Sequence, residues 1–316
     1  MGSKDLSENP SARVPRAAEE VSRGSRIVSK VGYLGPAGTF SEEALLSSAA
    51  PDSVEPVPRT SIYDTVMALR QGEVEWAIVP IENSLDGSLS VTLDLLADEA
   101  GDVQIVGETL LTVRHSLIAG QLLELKEIDT VLSHPQVPGQ CARFLRGELP
   151  HARVLPASST AEAVREVVQS AERGRAALGT RLAANIYGGT VVRDGVQDRD
   201  DNETRFVWLA RSGEGVSLAP PLRARAEQSS WKTSLVFWGA GAEHPGWLVH
   251  CLGEFARRDI NLTKIESRPR RERLGHYMFF VDLEGSLPAD RAVSDAVADV
   301  REICEEVRVL GSYPAA

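Results

Sequence analysis

The chain has 316 residues, enough for about two domains with room for a small third. Its composition, 42% apolar and 25% charged, is that of an ordinary globular protein and excludes wholesale disorder, collagen-like repeats and disulfide scaffolds. A net charge of −11 without a basic block disfavours nucleic-acid binding, and no apolar run approaches the ~18 residues of a membrane helix.

Residues 1–27 carry Lys4, Arg13, Arg16, Arg23 and Arg26 but no hydrophobic segment, so a mobile leader is expected and not a signal peptide. From Ile27 short apolar runs alternate with helical stretches. Strands are expected at 27–34, 77–81, 103–113, 130–132, 153–155, 176–178 and 206–210. Amphipathic helices are expected at 41–50, 61–71, 88–99, 140–145 and 160–170. That alternation predicts parallel sheets flanked by helices. Residues 212–230, rich in Gly, Pro, Ser and Arg, read as a linker. Beyond it, strands at 233–238, 262–267, 277–283 and 307–310 and helices at 246–258 and 289–304 give the ferredoxin-like order βαββαβ. The fold class is therefore α/β with a small α+β unit behind it.

One local device occurs three times. A strand runs into Ser or Thr, with Glu or Gln three residues later: Thr39-Phe-Ser-Glu42, Ser133-His-Pro-Gln136 and Ser159-Thr-Ala-Glu162. Each fits a capping box, which any helix can use. Three at the carboxyl ends of parallel strands also make an anion site, because helix N-termini there present free N–H groups and partial positive charge. A small anionic metabolite is the expected guest. Asn83 and Ser84, in a turn after an apolar strand, offer neutral hydrogen bonds. Thr204 and Arg205 offer a hydroxyl and a carboxylate-shaped fork. Either cluster also reads as an ordinary polar turn or strand start.

Other motifs fail. Gly239, Gly241 and Gly246 follow a strand, but the fingerprint's third glycine falls on His244, so dinucleotide binding is not expected. The six histidines show no HxxxH or HExxH spacing and read as surface or loop residues. Cys141, Cys251 and Cys304 form no CxxC; they read as core thiols in a reducing cytoplasm, with no metal site. There is no GxSxG and no P-loop.

Gly35-Pro-Ala-Gly-Thr-Phe40, Val79-Pro-Ile-Glu-Asn-Ser84, Ser133-His-Pro-Gln136 with Gln140, and Thr204-Arg-Phe206 stand in the order seen in prephenate dehydratases. Ile260-Asn-Leu-Thr-Lys-Ile-Glu-Ser-Arg-Pro269 resembles the signature of that family's regulatory ACT domain. The resemblance spans roughly residues 28–313. It implies a catalytic domain over 28–211, with two lobes like those of type-II periplasmic binding proteins. Lobe one would take 28–111 and 200–211, lobe two 112–199, with the active site between them. An ACT domain would follow over 231–316.

The implied reaction turns prephenate into phenylpyruvate, CO2 and water, with no cofactor or metal. Matching positions make Thr204 the group at the leaving hydroxyl. Asn83, Ser84, Ser133 and Gln140 orient the substrate, and Thr39, Phe40, Arg205 and Phe206 bind it. Phenylalanine is the implied effector, at Gly246, Trp247, Leu248, Asn261, Leu262, Glu266, Ser267 and Arg268. Where the family usually has Gly-Ala-Leu-Val, this chain reads Gly246-Trp247-Leu248-Val249, so altered effector sensitivity is expected, unless Trp247 is simply a core side chain. A cytoplasmic homodimer or homotetramer is implied. Arogenate dehydratase, a decarboxylase that keeps the hydroxyl, and a non-catalytic amino-acid sensor are the alternatives. The intact Thr204-Arg-Phe206 argues against the decarboxylase.

Overall fold

The computed structural model describes residues 28–50, 52–170, 172–213, 230–239 and 244–316. The expected leader, most of the expected linker and residues 240–243 of the glycine-rich segment lie outside the described residues.

The first sheet forms around two strands with continuous apolar runs, 76–81 in β3 (Trp76–Asn83) and 206–210 in β11 (Glu203–Arg211). Such strands fit only the buried centre of a sheet. The strand order is β2-β1-β3-β11-β5, where β1 is Ser29–Leu34, β2 Val54–Arg59 and β5 Val103–Thr112; the two-residue β4 (Gly87–Ser88) pairs with β3. β1 runs parallel to β2 and β3, and β11 returns antiparallel between β3 and β5. Helix α1 (Phe40–Ser48) covers one face; α2 (Ile62–Gln71) and α3 (Ser90–Asp94), the latter continuing into a π-helical turn at Leu95–Glu99, cover the other.

β2 has no counterpart in the sequence reading. Its Val-Glu-Pro-Val-Pro-Arg carries two prolines, which a central strand takes only where the ladder shifts, as at Pro80 of β3. At the sheet edge, paired only with β1, their missing N–H groups cost nothing.

The second sheet has the order β10-β6-β9-β7-β8: β6 Ser116–Ala119, β7 Thr130–Ser133, β8 Arg153–Pro156, β9 Arg175–Gly179 and β10 Thr190–Asp194. β7 is parallel to β8 and β9, whereas β6 and β10 are antiparallel additions. Its helices are α4 (Val137–Gln140), α5 (Ala142–Glu148), α6 (Thr160–Gln169) and α7 (Arg181–Tyr187). The chain passes between the two sheets at 113–115 and again at 195–202. There the connections lie close: Val113 N–H donates to Asn202 O at 2.8 Å and Val196 N–H to His115 O at 2.9 Å.

The third sheet, β13-β14-β12-β15, is wholly antiparallel: β12 Trp231–Trp238, β13 Leu262–Pro269, β14 Tyr277–Glu284 and β15 Glu306–Pro314. With α8 (Trp247–Ala256) and α9 (Arg291–Ile303) on one face it makes the expected βαββαβ order. Its other face is not left to solvent. Val236, Met278, Phe280, Leu310 and Tyr313 share one apolar core with Leu69, Val79, Leu96 and Ile105 of the first lobe. β15 crosses β5 so closely that a Cβ on Gly311 would stand 2.1 Å from Ile105 O.

Candidate active site

The carboxyl ends of β1, β2, β7 and β8 all open onto one cleft of about 660 Å³ between the first two sheets, within the size range of small-molecule sites. Two loops clamp its rim across the lobes. The Thr180 hydroxyl donates to Gly38 O at 2.7 Å and Tyr187 Oη donates to Ala37 O at 2.8 Å. Gly38 has φ +87°, and a Cβ there would stand 2.8 Å from Ala183, so glycine is required twice over.

Of the three expected capping boxes, one forms its serine half, while the Glu162 carboxylate pairs with Arg165 instead of closing the box. Ser159 Oγ accepts from Glu162 N–H at 3.0 Å. At the first, Thr39 Oγ1 instead donates to Leu34 O at 2.8 Å, and Glu42 accepts from the Gly38 N–H. At the second, Ser133 ends β7 and donates to His134 O, and the helix starts only after Gln136. The N-termini of α1 and α6 nevertheless meet at the cleft, through Thr39, Phe40, Ser41, Ser158, Ser159 and Thr160.

At the floor, β3 and β11 set Asn83 opposite Thr204. Asn83 Oδ1 accepts from Leu85 and Asp86 N–H at 2.9 and 3.0 Å, which pins its amide. Its Nδ2 then donates to Thr204 Oγ1 and Asn202 Oδ1, both at 2.9 Å. With its oxygen already accepting, Thr204 has its own proton free to donate, and it lines the cleft. Gln140 enters from the other lobe. Its Oε1 lies 2.9 Å from His115 Nε2 and 3.3 Å from Asn202 Nδ2, and its Nε2 donates to Asp86 at 3.2 Å. Ser84 accepts from Glu203 N–H at 3.0 Å and braces the start of β11; it is exposed and Ser133 is buried, and neither is among the residues that line the cleft.

His115 lies in a connecting segment, as the surface-or-loop reading allows, but it is not at the surface. It is 1% exposed, with Nδ1 unpartnered and the ring edge-on to Phe40 at 5.3 Å. Burial holds its pKa below the usual histidine range, against the opposing hydrogen bond with Gln140. The signal for it was a histidine set between two apolar strands, where the chain changes lobes. Asp86 was also missed; it is the one acidic side chain among the described cleft residues.

Two expected substrate contacts are corrected. Phe206 is 2% exposed and fills the core beside Tyr33, Leu45 and Ile78. Arg205 points away from the cleft: Nε donates to Glu108 at 2.6 Å, Nη1 to Asp282 at 2.5 Å and Nη2 to Tyr313 Oη at 2.7 Å. Burial works against its charge, but Tyr313, Asp282 and Glu108 together raise its pKa. For Arg205 the cause is strand alternation, which turns the next neighbour of Thr204 to the opposite face; Phe206, two residues on, shares the Thr204 face but lies in the core beneath α1. No lysine or arginine lines the described cleft, whereas nine hydroxyl side chains do. An anion there is met by hydroxyls and helix N–H groups.

In the third sheet's unit, Trp247 packs against Phe237 and Phe279 with ring centroids 6.1 and 6.0 Å away, and its Nε1 donates to Ile303 O. The same side chain walls a hollow of about 200 Å³ with Gly246, Leu248, Val249, Tyr277 and Phe279. Glu266 and Arg268 lie elsewhere. Glu266 accepts from Ser88 at 3.1 Å, and Arg268 grips Asp94 at 2.8 and 3.0 Å. Among the described residues no group of three or more His, Cys, Asp or Glu could hold a metal, and no helix is long and apolar enough to cross a membrane.

Fold and cleft together define an α/β enzyme with a hydroxyl-lined interlobe site suited to a small anion. The chain belongs to the prephenate dehydratase family, whose model it matches over residues 31–214. It is 38% identical to the prephenate dehydratase of Mycobacterium tuberculosis over 293 residues, 90% of this chain and 87% of that one. The crystal structure of the Arthrobacter aurescens prephenate dehydratase in complex with L-Phe is similar at 34% identity and TM-score 0.79, over 90% of this chain and 89% of that one. A structure described as GqqA, a quorum-quenching acylase, is similar at 27% identity and TM-score 0.77, over 91% and 98%. The scaffold therefore does not dictate the chemistry, and the side chains in the cleft must.

Proposed function

We propose that this chain catalyses the decarboxylating dehydration of prephenate to phenylpyruvate, CO2 and water, with Thr204 assisting the leaving hydroxyl. The observation that carries this is the Asn83–Thr204 pair at the cleft floor, with the threonine oxygen accepting and its proton free. The C–C bond to the ring carboxylate breaks, and its electron pair becomes ring π density. The C–O bond to the ring hydroxyl breaks in the same sense, and the departing hydroxide takes up one proton to leave as water. Thr204 is too weak an acid to supply that proton by itself; it stabilises the developing negative charge with a hydrogen bond, and solvent balances the proton.

The N-termini of α1 and α6 suit the carboxylate that stays. The absence of a cation from the described lining helps the carboxylate that leaves, because an ion pair would stabilise it in the ground state. Residues 28–211 act as the catalytic domain, with lobe one at 28–111 and 200–211 and lobe two at 112–199.

Residues 231–316 act as an ACT domain binding phenylalanine at the Trp247 hollow. The exposed Val249 and Tyr277 beside that hollow suit assembly into a homodimer or homotetramer. A cytoplasmic location follows from a biosynthetic substrate. Asp86 favours arogenate as a second substrate, since its ammonium stands where prephenate has a keto group.

The test is to incubate the purified chain with prephenate, and separately with arogenate, and identify the products by NMR. Phenylpyruvate from prephenate is expected. Thr204→Ala should lower kcat by about 10²–10⁴-fold with KM little changed, and Thr204→Ser should recover most of it. Near-normal kcat in Thr204→Ala removes the role. Phenylalanine binding without turnover of either acid makes the chain a sensor.

A further inference from the structure

Asn83 and Thr204 are not the only paired residues at the carboxyl end of β3. Glu82 and Arg205, their chain neighbours, are also opposite each other in the ladder, on the face turned away from Thr204. On that face they meet the third sheet. Arg205 Nη1 lies 2.5 Å from Asp282 and 3.5 Å from Glu82, and Nη2 donates to Tyr313 Oη at 2.7 Å. Lys264 Nζ lies 3.0 Å from Glu82. Asp282 is itself fixed by the Ser234 hydroxyl at 2.5 Å. The cleft residue Ser88 is held the same way, accepting from Lys264 at 2.8 Å and donating to Glu266 at 3.1 Å. The side chains of Arg205, Asp282 and Lys264 are 8–9% exposed, so these are shielded contacts and not rim pairs.

We infer that Arg205, clasped from the third sheet by Asp282 and Tyr313, is a positioning residue that sets Thr204 against Asn83, so that the C-terminal unit completes the catalytic geometry from behind. A guanidinium bonded through Nε, Nη1 and Nη2 to acceptors on two sheets has one permitted orientation, and the backbone of β11 is fixed with it. A misplacement of about 1 Å in such a site costs on the order of 10²-fold in rate. The inference rests on the dehydratase reading for its kinetic readout, but not for its structural one.

The experiment uses the full chain. Asp282→Asn and Tyr313→Phe weaken the clasp without touching the cleft. Arg308→Met breaks a different contact between the same two units, the bonds to Leu96 O and Ala97 O, and is the control. The readouts are kcat and KM for prephenate, and deuterium exchange of peptides spanning residues 200–211. Asp282→Asn should lower kcat about tenfold or more, keep KM within about threefold and speed exchange in β11. Tyr313→Phe should follow in the same direction with a smaller change, and Arg308→Met should do neither. Unchanged kcat and exchange in both clasp variants overturns the inference. So does an equal loss in Arg308→Met, which would mean that docking in general is what counts. If Asp282→Asn does not fold, Tyr313→Phe decides alone. If the unaltered chain does not turn over prephenate, the proposed function fails and the exchange data still judge the clasp.

Discussion

Neighbouring residues in this chain have opposite fates, and the residue scale is where that is decided. Thr204 lines the cleft, whereas Arg205 and Phe206 serve the interface and the core. Sequence reasoning grouped all three because they are contiguous. It could not apply strand alternation to side-chain roles without knowing which face of β11 the cleft occupies. His115 makes a related point: nothing in the spacing of the histidines separates it from the others, whereas its place between two apolar strands and its burial do. Because its folded pKa lies below the ordinary ~6.5, the unfolded chain binds the extra proton first. The contribution of His115 to stability is therefore complete above ~6.5 and is lost as pH falls from there through the folded value. Urea unfolding at pH 7.5 and 5.5 should show the unaltered chain losing more stability than His115→Gln, by about 1 kcal/mol. Equal losses in the two would assign the pH dependence to other groups. Cys141 is the contrary case. Burial, then Asp198, pushes its thiol up to about 12, which agrees with the inert core cysteine read from its apolar surroundings.

At the scale of elements, the apolar strands were legible because β3, β11 and β12 carry their burial in their own sequences. The edge strands β2 and β10 were not, since an edge tolerates proline and charge more readily than a centre, and neither was the interior β6, whose four residues are too short a run to show a period. The capping pattern was legible as a pattern only. Three matching tetrapeptides gave one closed serine cap, at Ser159, because a cap also needs its residue at the helix boundary with the right backbone. Ser61 and Thr180 cap α2 and α7 without having been singled out. Ser159→Ala should cost about 1 kcal/mol in chemical denaturation, and Ser159→Asn, which keeps an acceptor, should cost only a few tenths. An alanine variant as stable as the parent would show that the N-terminus of α6 is held by tertiary packing alone.

For the whole molecule, the third sheet is joined to the first lobe by a shared core and by the Arg205, Lys264 and Arg268 contacts. The expected reading made Glu266 and Arg268 part of an effector site. The structure uses both to grip the first lobe, and leaves Trp247 at the hollow. Trp247 is at once a core side chain and a wall of the hollow. If phenylalanine binds there, Trp247→Ala should shift the concentration for half-inhibition by about 3–10-fold, the range for an altered aromatic contact. An unchanged value would move the effector site away from the hollow.

The sequence by itself determined the alternating strands and helices, the later βαββαβ order and the family, because periodicity and short motifs are properties of contiguous residues. Tertiary structure alone decided that Arg205 faces away from the cleft, that His115 is buried between the lobes, and that the cleft is lined by hydroxyls without a lysine or arginine among the described residues. Which face of a strand meets a cleft, and how much water a side chain loses, depend on elements 50 to 100 or more residues away, and no local pattern carries that information.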